Sequence, residues 1–219
     1  MPENIAVVPA TPDQWPDVAL LLGRDGDHGC WCQYWRLSSS DYSHRLPGAG
    51  SRLMRARLER MPAPGMLAYL DGEPAGWCGI GPRAEMERLA RSRTIPKVDD
   101  RPVWSIVCFL VRVGFRRRGV ARALLDGVIE YARSLGAAGL EAYPIDAEGR
   151  RVDVAFAYVG TTSMFEAAGF RRVVETASRS AGRPRWIVRL DLPASDLPAS
   201  DPPSPGSPSD GPPAGPSPP

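Results

Sequence analysis

Residues 103–113, Val-Trp-Ser-Ile-Val-Cys-Phe-Leu-Val-Arg-Val, form an almost unbroken apolar run rich in β-branched and aromatic side chains, the pattern of a strand covered on both faces. A basic corner, Arg116-Arg117-Arg118-Gly119, follows at once. Beyond it, Val120, Leu124, Leu125, Val128, Ile129, Ala132 and Leu135 recur at helical spacing up to Gly136. A buried central strand that turns straight into an amphipathic helix restricts the fold more than any other segment does. At such a corner a glycine supplies unusual dihedrals and close backbone approach, and the first helical N–H groups have no partner in the helix. Three adjacent guanidinium groups and the positive end of the helix dipole add to them, so the corner suits a pyrophosphate better than a single carboxylate. The ligand expected there is a nucleotide-like molecule.

Around this unit a mixed architecture can be read. Residues 5–8 suggest a first strand, and Thr11-Pro12-Asp13 an N-cap, first-turn proline and first-turn acid opening a helix through Leu22. A second helix is predicted over 51–60, ended by Pro62 and Pro64. Residues 66–70 and 75–80 flank Asp71-Gly72, a pair that tolerates the positive dihedrals of a tight hairpin. Residues 83–102 are charged and irregular. A strand at 140–145, a helix at 155–168 and a hairpin pairing 170–178 with 184–190 across Gly182 complete the order. The implied class is α+β: a mixed, mostly antiparallel sheet flanked by helices on both faces.

The segment Arg116-x-x-Gly119-x-Ala121, set between an apolar strand and an amphipathic helix and followed by a further strand, a helix and the pair Gly169-Phe170, resembles the acyl-CoA signature of the GNAT-type N-acetyltransferases. The resemblance spans roughly residues 4–191 and is strongest from 103 to 170. It implies the acyl-CoA N-acyltransferase fold, with acetyl-CoA as the acyl donor co-substrate and an amine of a small molecule or peptide as acceptor. Carried over residue by residue, it implies that the backbone of Leu110, Val111, Arg112 and Val113 pairs with the pantetheine arm. Arg116, Arg117, Arg118, Gly119, Val120 and Ala121 then hold the pyrophosphate. An open ladder edge is apt for such an arm, because its amides satisfy the strand's unpaired N–H and C=O groups.

The departures from the family pattern bear on the chemistry. The tyrosine that commonly protonates the departing thiolate is replaced by Phe165, which has no proton to donate. Tyr158, seven residues earlier, is the replacement acid the sequence offers, although a buried helical aromatic is more commonly plain core. No acid lies within the central strand. Glu141, on the strand bordering the acyl site, has the strongest positional claim as base, ahead of Asp99, Asp100 and Asp146. Between the first two helices lies His28-Gly-Cys-Trp-Cys-Gln-Tyr-Trp-Arg36. Cys30 and Cys32 have no second cysteine pair at zinc-site spacing, so no metal is assigned. Trp31, Tyr34, Trp35 and Arg36 are read as an acceptor-pocket wall, with a loop-to-core aromatic staple as the equal alternative.

The chain divides at residue 191. Residues 192–219 are almost wholly Pro, Ser, Ala, Gly and Asp and repeat Asp-Leu-Pro-Ala-Ser, so they are expected to be a disordered, partly polyproline-like tail. Without its three aspartates the formal net charge of +2 becomes +5, which suits a phosphorylated ligand without demanding a nucleic acid. There is no apolar run of membrane-spanning length and no signal-type N-terminus, and four cysteines in this chain fit reduced thiols; a cytoplasmic location is expected. A coenzyme A sensor or scaffold without turnover is the second functional class, and a nucleic-acid binder the last. The oligomeric state is not legible.

Overall fold

The computed structural model describes residues 3–147, 158–180 and 182–193. Strand β1 (Ile5–Pro9) leads through a capped single turn at Pro12–Gln14 into helix α1 (Trp15–Leu22). Helices α2 (Ser39–Ser43) and α3 (Ala49–Leu58) precede the hairpin of β2 (Gly65–Leu70) and β3 (Glu73–Pro82), whose turn residues Asp71 and Gly72 have φ of 50° and 83°. A short helix α4 (Glu87–Ala90) interrupts the charged stretch. Then come β4 (Trp104–Val111), α5 (Val120–Ser134), β5 (Gly139–Ala142), α6 (Thr162–Glu166), β6 (Arg171–Ser180) and β7 (Arg183–Asp191).

The seven strands make one sheet in the order β1-β2-β3-β4-β5-β7-β6. All neighbours are antiparallel except β4 and β5, so the mostly antiparallel expectation and the central place of β4 both hold. On one face α5 buries Val120, Leu124, Leu125, Val128 and Ala132 against Ile106, Leu140 and Val188. On the other, α1, α3 and the segment between them bury Val18, Met54, Trp31 and Trp35 against Leu67, Trp77 and Val107. The central strands thus spend alternate side chains on two cores, which is why β4 reads as continuously apolar.

The β4–β5 ladder is short. Only Trp104, Ser105 and Ile106 pair with Leu140, Glu141 and Ala142. Past this point β4 runs on to Val111, whereas β5 stops at Ala142, because Pro144 has no N–H to continue a ladder. A register shift between Gly79 and Ile80 on the other side of β4 adds to the local bend, since Val107 is left without a partner on β3. The two central strands therefore diverge, and their open wedge points toward the basic corner.

Two sequence expectations change. The helix predicted at 155–168 is confined, among the described residues, to Thr162–Glu166, with residues 155–157 outside them. Gly160 at φ 85° and an extended Thr161 cap start the helix late, so Tyr158 lies in the turn before α6 and not on a helical face. The boundary at 191 also moves. Leu192 is buried, and its N–H donates to the Ala138 carbonyl, so the folded unit continues past β7; residues 194–219, most of the proposed tail, lie outside the described residues.

Candidate active site

The corner between β4 and α5 brings a glycine cap, helix N–H groups and arginines around one cavity. Gly119 caps α5 at φ 83° and ψ −11°, a left-handed conformation that costs other residues more. The Gly119 carbonyl accepts from Ala123, so Val120, Ala121 and Arg122 present N–H groups with no partner within the helix. A cavity of about 210 Å³ lies here, lined by Val111, Arg116, Arg117, Gly119, Val120 and Ala121. The three arginines are not equivalent. Arg118 is held by Glu3, with N···O distances of 2.7 and 2.9 Å. The Arg116 Nε donates to the Val111 carbonyl at 3.2 Å, and Arg117, at φ 60°, is exposed with no hydrogen-bond partner among the described residues. Arg117 and the remaining donors of Arg116 are thus the cations available to a ligand, and Arg118 would first have to leave Glu3.

Strand polarity sorts the four residues expected to meet an arm. The Arg112 N–H donates to Ala75 at 2.9 Å, and Leu110 is paired with Trp77, so both backbones face β3. Val111 faces the wedge by the period of two. So does Phe109, whose N–H donates to the Tyr158 carbonyl at 2.6 Å. Val113, 73% exposed, lies beyond the end of β4 in the turn. Phe109 was missed in the sequence, although its spacing of two from Val111 would have found it.

Tyr158 is brought to the wedge as well. Besides its backbone bond to Phe109, its ring carries the Arg185 guanidinium at 5.1 Å. Burial pushes its phenol up to about 12, opposed by Arg185 and reinforced by Tyr34, Cys108 and Cys30. At neutral pH it is a protonated donor between β4 and the aromatic segment. Phe165 is fully buried, edge-on to Phe109 and Phe170 with ring centres 6.0 and 5.1 Å away, and serves as core.

Glu141 does not fit the role of base expected of it. Its fully buried carboxylate accepts from Arg189 at 2.6 and 3.1 Å and from the Tyr143 hydroxyl at 3.2 Å, and it lies 3.4 Å from the Arg83 Nε in an ion pair that lacks hydrogen-bond alignment. Arg189 also binds Asp99. A carboxylate so enclosed has no free lone pair for an amine. Its effect passes through Tyr143, whose hydroxyl meets Ser105 of β4 at 2.7 Å, so Glu141 ties β4, β5 and β7 together just before the strands diverge.

The aromatic segment divides in two. Trp31, at φ 48°, stacks on Trp15 at 5.8 Å and donates to the Gly26 carbonyl; it staples the loop and is not a pocket wall. Arg36 is likewise structural, donating to the Pro64 and Ile80 carbonyls at 2.6 and 2.9 Å. Trp35 is buried 6.2 Å from Tyr143, and Tyr34 is half-buried beneath Arg88. Of the four, Tyr34 is the one that electrostatics link to Tyr158.

The structure also assembles a thiol cluster whose members are far apart in the chain. A Cβ on Gly79 would strike the Cys32 sulfur, so the missing side chain lets Cys32 settle on the sheet beside Cys108. A hydrogen bond from Cys108 lowers the Cys32 thiol to about 6 against the opposing effect of burial, with help from the Arg36 charge and the Trp77 indole. The Cys108 thiol is raised, first by that same bond and then by burial.

Two outcomes test these assignments. Glu141→Gln is expected to lower unfolding free energy by about 3 kcal/mol, read by denaturant titration, because it leaves the Arg83 and Arg189 charges under-compensated. Cys32→Ser should remove a thiolate absorbance near 240 nm that is present at pH 7.5 and titrates away on acidification through about 6; Cys78→Ser, whose thiol burial raises, should leave that band in place.

Among the described residues no helix is long and apolar enough to cross a membrane. Comparison with curated proteins by sequence finds no match. Solved structures share the fold. A putative GNAT acetyltransferase from Desulfovibrio desulfuricans is 20% identical with a TM-score of 0.51, over 86% of this chain and 99% of that one. A chain of the NatC complex bound to Gag peptide and CoA is 14% identical with a TM-score of 0.52, over 87% and 99%. The ribosomal-protein-S18-alanine N-acetyltransferase from Escherichia coli is 13% identical with a TM-score of 0.50, over 89% and 99%. The profile of the Acetyltransferase (GNAT) family matches residues 31–148, more than half of the sequence, and the chain belongs to that family.

Proposed function

We propose that the protein transfers an acetyl group from acetyl-CoA to a primary amine of a small molecule or peptide by direct attack. The observation that carries this reading is the alignment of the diverging β4–β5 wedge with the α5 cradle. One end offers unpaired strand backbone for an amide-containing arm, and the other offers helix N–H groups and Arg117 for a diphosphate. The wedge leads inward to Tyr158, whose carbonyl accepts from the Phe109 N–H of β4.

In this arrangement Val111 pairs with the arm. The Phe109 N–H, now given to the Tyr158 carbonyl, is the donor that turns to the thioester carbonyl and polarises it as the amine attacks. The acceptor approaches past Tyr34. Tyr158, kept protonated by burial, delivers its proton to the departing thiolate and takes over from the tyrosine that Phe165 replaces. Glu141 acts as a positioning residue through Tyr143. The amine loses its proton to water, since no described carboxylate at the wedge is free of an arginine partner.

A second reading, a coenzyme A sensor without turnover, draws on Phe165, whose ring is locked into the core and has no proton to give. The protein mixed with acetyl-CoA and a broad amine panel decides between them: release of free thiol that depends on the amine supports the transferase, and binding without release supports the sensor.

Gly119→Asp is expected to weaken acetyl-CoA binding by more than about tenfold in calorimetry, because it sets a carboxylate at the cradle mouth and opposes the helix dipole. Unchanged affinity in the folded variant would refute the cradle. Tyr158→Phe should slow thiol release by about a hundredfold with acetyl-CoA affinity nearly unaltered; equal turnover removes its hydroxyl from the mechanism.

A further inference from the structure

A second cavity of about 210 Å³ opens at the other end of the sheet, where the start of β2, the end of β3 and the last turn of α3 meet. Its position relative to the corner before α5 follows from register: Pro82 pairs with Trp104 at the beginning of β4 and Gly76 with Val111 at its end, a separation of roughly 20 Å along the strand. Four of the nine lining residues are charged, namely Arg36, Arg57, Arg60 and Glu85. Three guanidinium groups face one carboxylate, and no ion pair joins any of them to it among the described residues.

The donors are there without acceptors. Arg36 is only 4% exposed, both of its hydrogen bonds leave from one nitrogen, and its Nε is buried with no partner. A buried donor left in this state costs free energy that a ligand oxygen would restore. Arg57 uses its Nε on the Gln33 side-chain oxygen at 3.3 Å, and its two terminal nitrogens donate to nothing among the described residues; the Arg60 side chain makes no hydrogen bond there, its backbone N–H alone donating to the Arg57 carbonyl. Burial first, then the like charges of Arg36 and Arg60, lower the proton affinity of Arg57, with Glu85 and Cys32 opposing. Buried Arg36 and half-buried Arg57 lie beside the exposed Arg60, and planar guanidinium forks match phosphate oxygens two at a time.

We propose that this cavity is a second anion site, separate from the acyl-donor cradle, that binds the phosphoryl group of a small ligand. Glu85 at the rim and the Cys32 thiolate beside Arg36 are outnumbered by the three guanidinium groups, whose paired donors fit the several oxygens of a phosphoryl group better than a single carboxylate. Arg36 forms the fixed floor, anchored through the Pro64 and Ile80 carbonyls, and Arg57 and Arg60 close from α3 and the turn after it. Glu85 stands at the rim as the competing anion.

Inorganic phosphate titrated into the full chain, by calorimetry and thermal shift against acetate and chloride at matched ionic strength, tests the site. The expected result is a saturable phosphate response in the natural chain and in Gly119→Asp, and a response weakened at least about tenfold in R57Q/R60Q, from the loss of charge-assisted hydrogen bonds. Glu85→Gln, an exposed change that leaves the folded core alone, should tighten phosphate several-fold. Equal responses to acetate or chloride, loss of binding in Gly119→Asp with retention in R57Q/R60Q, or an unchanged or weakened response in Glu85→Gln would each overturn the proposal.

Discussion

The separation of β4 from β5 after three paired residues is the constraint on which the rest of this molecule depends. A central strand in a continuous sheet would have both backbone edges consumed. Here the ladder ends because β5 meets Pro144, and β4, shifted against β3 at Val107, carries on with β3 as its one partner strand. Unpaired N–H and C=O groups at the middle of a domain are costly unless something covers them. The chain covers two of them itself, with the Tyr158 carbonyl on the Phe109 N–H and the Arg116 Nε on the Val111 carbonyl, while the first N–H groups of α5 have no partner within the helix. Structure and site are thus two consequences of a single broken ladder.

A wedge of this kind invites collapse, and the buried charge cluster resists it. Glu141 collects Arg189, Arg83 and Tyr143, and through Tyr143 reaches Ser105, so β4, β5 and β7 are pinned just before they part. Buried ion pairs are poor sources of net stability, because desolvation offsets much of the attraction. Their geometry is specific all the same, and a register slip between β4 and β5 would leave several charges without partners. The opening of the wedge therefore rests on a network set just before the point where the strands part.

Much of this was legible from residue order. The strand, corner and helix at 103–136 combine a continuous apolar run, a glycine and a 3.6-residue stripe, all local signals, and they appear where expected. The hairpin across Asp71-Gly72 is equally local, because positive dihedrals at a two-residue turn restrict its chemistry. The late start of α6 was less legible: Gly160 inside an apolar pattern passes for a tolerated helical glycine until its φ of 85° is known. Glu141 misled for a different reason. A carboxylate on the strand bordering the reaction is the right residue type in the right place, and only the arrival of Arg189 from 48 positions away occupies it.

The sequence by itself determined the fold class, the family resemblance and the location of the basic corner between β4 and α5, since each depends on neighbours within a few turns or strand residues. Only the tertiary structure decided which cations remain available there, because Glu3 takes Arg118 and leaves Arg117. It also decided which strand amides face the wedge and which aromatics are staples. Long-range pairing made those choices: a side chain's partners across the sheet, and not its type, fix whether its hydrogen bonds and charge are already spent.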